Sequence, residues 1–343
     1  MKRHQNTLFV TTQGAYLSKD GEAVAVRVDK EDRMHIPIHT LEGILCFGQV
    51  TVSPFLLGLC GERGVTVSFL TKNGRFLARV QGPASGNVLL RREQYRRADD
   101  GPSCTAIVRP LLAAKIANSR TVLLRALRDR PEHPEADSLR AAASTLGFHL
   151  KALTEELPLD SLRGIEGSAA RAYFEAFDSL IVQQKEGFFF RERTRRPPLD
   201  NMNALVSFIY TLLRHDVAAA LESVGLDPAV GFLHRDRPGR PGLALDLMEE
   251  LRAYLADRLA LSLVNLKQIQ AGGFSRKESG GVVMDDETRK TVLTAYQQRK
   301  NDEIVHPFLG EKTTVGLLPH LQAALLARTL RGDLDGYPPF FWK

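Results

Sequence analysis

The feature that most constrains this chain is a change of apolar period near residue 85. Before it, apolar residues alternate in short runs; after it, they recur every third or fourth position for roughly 250 residues. Period two places successive side chains on opposite faces of a strand, whereas a 3.6 period draws one stripe along a helix. VAVRV at 24–28 is the clearest strand, and TLFVTT, MHIPI, GILCFG, VTVSFL and RFLARV read the same way. Asn73-Gly74 lies between the last two and predicts a hairpin, because a tight turn there needs positive φ. Ser53-Pro54 ahead of FLLGLCGERG predicts one short capped helix ending at Gly61 or Gly64.

The expected fold class is therefore α+β. A small, sandwich-like β domain with one helix covers 1–85, a linker and first helix 86–104, and a large all-α domain 105–343. QGPASGN from Gln81 is a linker by composition. Helical spacing runs over 105–129, 135–156, 160–185, 199–225, 242–265, 286–299 and 315–331, with Asp160, Asp200 and Asp286 at plausible starts. Strands are nearly absent from this half. AGGFSRKESGG from Ala271 reads as a surface loop; it lacks the GK[ST] ending of a P-loop and follows no strand. GYPPFFWK from Gly336 cannot continue a helix, which leaves a frayed end or a docking peptide for another chain.

Function classes narrow from here. Cys46, Cys60 and Cys104 have no CxxC spacing, so neither a disulfide framework nor a zinc site is expected, and Cys46 and Cys60 read as buried thiols. No apolar run approaches membrane-spanning length and the start has no signal-peptide core, so no membrane is expected and the cytoplasm is the default. A net charge of +6 with arginine clusters at 91–97, 191–196 and 235–240 suits a polyanionic partner; solvated helix faces are the plainer explanation of any one cluster.

Four polar residues stand out from apolar helical surroundings: Glu166, His234, Asp246 and Glu249. Asp246 and Glu249 are three apart and share a helix face. Asp246, inside LALDLM, needs a cation, a metal or hydrogen bonds to be buried there. Arg252 offers Glu249 an ordinary helix ion pair. Taken alone, Glu166 is explicable as an exposed helix glutamate and His234 as a hydrogen-bonded residue at a loop mouth. Together, one imidazole with two or three carboxylates suits Mg²⁺ or Mn²⁺. Ser168 is no nucleophile elbow, and Asp285-Asp286 reads as a helix cap rather than a metal pair.

Several ordered motifs then carry a resemblance. E-G-x-A-A-R-x-Y-F spans Glu166 to Phe174, and R-x-x-x-P-P-x-D-x-x-N-A-L runs from Arg193 to Leu205. G-F-L-H ends at His234, and Gly242 to Glu249 come close to G-x-x-x-L-D-L-M-E. Over nearly its whole length the chain resembles the CRISPR-associated endonuclease/integrase, the larger subunit of the spacer-acquisition complex. The resemblance implies a metal site of Glu166, His234 and Glu249 taking Mg²⁺ or Mn²⁺, with Asp246 as a further ligand or as a partner of His234. Many members place an aspartate where this chain has Glu249. It also implies transesterification by a DNA 3′-hydroxyl, or cleavage by water, at the same site. Double-stranded DNA, a homodimer formed through the β domain and a small ferredoxin-like partner are the implied assembly. Arg171, Arg235, Arg237 and Arg240 are candidate phosphate contacts, and Tyr337 to Trp342 a candidate contact to the small partner. The alternatives are a branched-DNA repair nuclease and a DNA-binding scaffold whose acidic residues are structural.

Overall fold

The computed structural model describes residues 6–29, 31–80, 82 and 88–342. Apart from Gly82, the linker expected at 81–87 lies outside the described residues. The N-terminal strands are β1 (Asn6–Val10), β2 (Tyr16–Asp20), β3 (Ala23–Val28), β4 (Glu31–Pro37), β5 (Leu41–Phe47), β6 (Thr51–Val52), β7 (Thr66–Leu70) and β8 (Phe76–Val80). They form two four-stranded sheets, ordered β1-β5-β7-β8 and β4-β3-β2-β6. Helix α1 (Pro54–Arg63) starts as expected: Ser53 Oγ accepts from the Leu56 amide at 3.2 Å, Pro54 follows, and Gly64 ends it at φ 68°. The expected hairpin joins β7 to β8, with Gly74 at φ 83°. A Cβ at Gly74 would also sit 2.5 Å from the Phe208 ring, so glycine is required there twice. Strands β2 and β6 were not foreseen; YLSKD buries only Leu17, and β6 is two residues long.

Period two in β5 explains how the parts join. Ile44 and Cys46 face the sandwich core with Val10, Leu17 and Val67, while Leu45 and Phe47 face the large helical core with Leu70. Phe47 meets Phe208 with ring centroids 6.0 Å apart. A sheet covered on both faces reads as a continuous apolar run, as LEGILCF does.

The helices are α2 (Val88–Ala98), α3 (Gly101–Asp129), α4 (Ala136–Ala152), α5 (Leu159–Glu175), α6 (Asn201–Ser223), α7 (Gly242–Leu251), α8 (Arg258–Asn265), α9 (Asp286–Asn301) and α10 (Leu318–Arg331). A π-helical turn, Arg252–Asp257, joins α7 to α8. The helix expected over 160–185 stops at Glu175, and a short 3₁₀ turn, Phe177–Leu180, follows. Two short hairpins interrupt the half in which strands are expected to be nearly absent. Strands β9 (Phe274–Arg276) and β10 (Val282–Met284) pair within the segment read as a loop, and β11 (Glu303–Val305) pairs with β12 (Lys312–Thr314). Asp285, not Asp286, caps α9, accepting from the Thr288 amide at 2.7 Å.

Helix α6 is long and apolar enough to cross a membrane by length and composition alone, although Arg214, His215 and Asp216 interrupt its apolar run. Most of it is buried against the protein's own helices, as a core helix is. All three cysteines are buried free thiols, and burial pushes Cys46 up to about 12. The C-terminal segment corrects the expectation of a frayed end: Tyr337 and Phe340 are buried in the helical core, while Phe341 is exposed.

Candidate functional site

The loop between α6 and α7 carries His234 and wraps one carboxylate. Asp246, 1% exposed, accepts from three successive amides: Phe232 at 2.6 Å and Leu233 at 2.9 Å on Oδ2, and His234 at 3.0 Å on Oδ1. His234 Nδ1 lies 2.5 Å from the same Oδ1. A carboxylate can only accept, so Nδ1 carries the proton and Nε2 is the nitrogen with a lone pair to offer. Gly231 makes the wrap possible, since a Cβ there would stand 2.7 Å from Asp246 Oδ2. The loop is pinned from outside by residues that sequence reasoning missed. Gln94 of α2, fully buried, donates to the Asp227 and Val230 carbonyls at 2.8 Å each and accepts from the Asp227 amide at 2.9 Å. Arg163 of α5 donates to the Leu233 carbonyl at 2.9 Å, tying the helix of Glu166 to the loop of His234.

One turn beyond Asp246, Glu249 is held by cations instead. It is 2% exposed; Arg252 Nη1 lies 2.8 Å from Oε1 and Lys115 Nζ 2.8 Å from Oε2. Lys115, from α3, also pairs with Glu166 Oε1, so one ammonium joins the two carboxylates. The Arg252 pair expected as the ordinary alternative for Glu249 is therefore present, and Lys115 is added to it. Burial pushes the Glu249 carboxyl up, but the cations beside it, Arg252 first and then Lys115, outweigh it and hold it at about 2. The Lys115 contact lacks hydrogen-bond alignment, leaving Oε2 a buried oxygen without a hydrogen bond.

The structure thus brings Lys115, Glu166, Glu249 and Arg252 together and sets His234 on Asp246. Among the described residues no three His, Cys, Asp or Glu side chains are gathered as a ready metal set. Glu166 and Glu249 meet through an ammonium rather than through each other. The donor chemistry nonetheless fits a hard divalent cation: two carboxylates converging on one positive charge, an oxygen short of a hydrogen bond, and an imidazole nitrogen with its tautomer fixed. Asp246 is already saturated. Both its oxygens are committed to the amides and the imidazole that it orients.

Behind Glu249 lies a second buried carboxylate. Asp257, at the end of the π turn, accepts from Tyr210 at 2.7 Å and from Tyr173 at 3.1 Å. Burial pushes it up to about 6 against those hydrogen bonds and the pull of Arg252 and Arg193. The Arg252 guanidinium lies 4.9 Å from the centre of the Tyr210 ring.

An arginine-lined groove leads onto this site. Arg193, Arg195, Arg196, Arg214, Arg237 and Arg240 line a cavity of about 550 Å³ whose wall includes Tyr210 and Arg252. Arg214, Arg237 and Arg240 are shared with a neighbouring cleft of about 1000 Å³ between β8, α2 and α6. Of the four expected phosphate contacts, Arg237 and Arg240 line the groove. Arg235 pairs instead with exposed Asp160 at 3.1 Å, and Arg171 is exposed on α5 outside the groove lining. The long motif from Arg193 is largely a capping device for α6. Asp200 accepts from the Asn203 amide and side chain at 2.7 Å each, and Arg193 Nη1 donates to Asn203 Oδ1 at 2.7 Å.

Solved structures share this architecture. A Cas1 protein from Thermotoga maritima superposes with a TM-score of 0.80 at 24% identity, covering 96% of this chain and 97% of that one. A casposase bound to integration product gives 0.82 at 23% identity over 96% and 92%. A chain of a Cas6-RT-Cas1–Cas2 complex gives 0.82 at 24%, covering 99% of this chain and 36% of that one. The fold is that of the Cas1-type α+β proteins. Residues 8–298 match the family described as CRISPR associated protein Cas1, and the chain belongs to that family. A protein named CRISPR-associated endonuclease Cas1 1 from Chlorobaculum tepidum is 56% identical over the full length of both chains. One named CRISPR-associated endonuclease Cas1 2 from Rhodospirillum rubrum is 53% identical, again over 100% of each.

Proposed function

We propose that the protein is a divalent-metal-dependent DNA endonuclease and integrase that inserts short foreign duplexes into a CRISPR array by phosphodiester transesterification. The observation that carries the reading is the convergence of Glu166 and Glu249 on one positive charge; Asp246, one turn before Glu249, orients His234, and Arg252, paired with Glu249, lines an arginine groove. The names of the full-length relatives support endonuclease action. The casposase that shares the fold, bound to its integration product, supports strand transfer.

Glu166, Glu249 and His234 Nε2 would hold Mg²⁺ or Mn²⁺, which when bound supplies Lewis-acid stabilisation of a phosphoryl oxygen. The protein's own part is positioning and charge. Asp246 fixes the imidazole tautomer, and Arg237 and Arg240 neutralise backbone phosphates along the groove. Lys115, which pairs with both carboxylates, would supply a cation to offset the negative charge that grows on a bound phosphate. A DNA 3′-hydroxyl as nucleophile gives integration; water gives cleavage.

The proposed assembly is a homodimer built through the β domain, joined to a small ferredoxin-like partner on double-stranded DNA, in the cytoplasm with no membrane attachment. The neighbour taken from a complex with Cas2 supports such a partner. The direct experiment incubates the purified protein, its small partner and a repeat-bearing plasmid with and without Mn²⁺ or Mg²⁺. Strand transfer that needs the metal and is lost in Glu166→Ala is the expected result. Metal-independent activity, or activity that survives Glu166→Ala, would refute the assignment.

A further inference from the structure

We propose that Tyr337–Trp342 and Glu250 form a strap that fixes the angular setting of α7, and with it the placement of Glu249 against Lys115 and Glu166. Glu250 is then a positioning residue. The inference rests on the site assignment above and adds to it a device on the opposite side of the same helix.

Glu249 and Glu250 are neighbours in sequence with separate surroundings. Glu249 meets Lys115 and Arg252; among the described residues the carboxylate of Glu250, fully buried, takes its hydrogen bonds from the C-terminal segment and α10. Tyr337 donates to Glu250 Oε1 at 2.6 Å and Gln322 Nε2 at 3.0 Å, while the Phe340 amide donates to Oε2 at 2.8 Å. Helix α3 repeats the arrangement. Lys115 reaches the site, and Asn118, three residues on, holds the strap. Its Nδ2 donates to the Glu250 carbonyl at 2.7 Å and the Phe340 carbonyl at 2.8 Å, and its Oδ1 accepts from the Trp342 amide at 2.8 Å. The guanidinium groups of Arg125 and Arg258 lie 4.0 and 4.4 Å from the Trp342 ring centre, and clamp the far end. The two helices that bring Lys115 to Glu249 are therefore cross-tied by the segment that follows α10.

A plug for an apolar core would not need this chemistry. A leucine or methionine at position 250 would fill the space without burying a carboxyl group. What three donors add is direction, because they select one rotamer of residue 250 and thereby one rotation of α7. Glu249 rides on that rotation, and a misplacement of about 1 Å at a reacting centre can cost about a hundredfold in rate.

The test compares the parent chain, a chain ended after Gly336, and Tyr337→Phe, each as full protein with its small partner. Amide hydrogen exchange over 242–251, Mn²⁺ binding by calorimetry, DNA affinity and cleavage rate are measured. In the shortened chain we expect faster exchange over 242–251, Mn²⁺ binding weakened about tenfold or more, and a fall of about tenfold in kcat, with DNA affinity within about threefold. Added synthetic peptide GYPPFFWK restores exchange protection and metal binding, and a scrambled peptide does not. Parental exchange, metal binding and kcat in the shortened chain overturn the strap. Should that chain not fold, Tyr337→Phe decides. It removes one hydroxyl at constant packing, and we expect faster exchange over 242–251 and a several-fold fall in kcat with KM unchanged; parental values of both overturn the strap. A parent whose cleavage survives Glu166→Ala refutes the site assignment instead, and the exchange data still report on the strap.

Discussion

Asp246 and Glu249 sit one turn apart on α7, both buried, and are held in opposite ways. Asp246 is surrounded by the backbone: three amides and one imidazole proton, all fixed by the loop that Gln94 and Arg163 pin. Glu249 is neutralised by two cations on long side chains, with one oxygen lacking a hydrogen bond. A carboxylate saturated by rigid donors is a fixture. One balanced partly by a lysine ammonium can exchange it for another cation, because an ammonium on a flexible stem is replaceable where backbone amides are not. That difference is the basis on which the proposed ligand set takes Glu249, with Glu166 and His234, rather than Asp246.

The most damaging changes should be at those ligands. Glu166→Ala or His234→Ala is expected to lower DNA cleavage and strand transfer by about 10³-fold or more while DNA affinity stays within a few-fold, checked by gel assay and titration on the same preparation. Retained activity in either variant would collapse the comparison. Asp246→Asn and Glu249→Gln then separate the two carboxylates. Asp246→Asn puts an amide group against backbone donors and should cost about 4 kcal/mol of stability, yet saturating Mn²⁺ should still raise its melting temperature. Glu249→Gln should lose most of that metal-induced rise. The reverse pattern, read by calorimetric melting, would exchange their roles.

A third regime for a buried ionisable group gives the next largest effect. His215, between Arg214 and Phe76, has an unpaired buried Nε2, and burial holds it down at about 3. Its folded pKa lies below its ordinary 6.5, so its stability contribution is full above pH 6.5 and is lost as pH falls toward 3. Chemical unfolding should lose about 3 kcal/mol between pH 6.5 and about pH 4, and His215→Leu should flatten that slope. Lys115→Met should destabilise the metal-free protein by about 2 kcal/mol, by leaving Glu249 with Arg252 alone, and should enlarge the melting rise produced by Mn²⁺. A smaller rise would mean that the lysine helps to hold the ion rather than standing in for it. Arg235→Ala, which breaks an exposed pair with Asp160, should move the melting temperature by less than about 1 °C.

The sequence made legible what rests on local chemistry. The Ser53-Pro54 start, the Asn73-Gly74 turn, the Asp200 cap and the switch of period all survive, since each needs only neighbours within a few residues. The acidic and histidine candidates were recognisable because charge in an apolar stripe demands a reason. The pairing partners were not. Lys115 lies 51 positions from Glu166, and Gln94 lies 133 from Asp227; nothing in KIANS or REQYR marks them as anchors. Both short sheets of the helical half also escaped, because three-residue strands are below any detectable alternation. The aromatic segment was misjudged because its prolines rule out a helix but say nothing about whose surface it covers.

The π turn between α7 and α8 works like a phase shifter. A residue adds about 100° of rotation in an α-helix, so Asp257, eight positions after Glu249, would stand about 80° round from it in a regular helix. The extra residue wound into a π turn takes back about one such step. Both side chains then open onto the same small cavity, with Arg252 between them. Winding the same residues as regular α-helix would satisfy every local rule of helix formation. It would also turn everything downstream about 100° out of step with the acidic site, so the irregularity is what keeps the two halves of the helix in time.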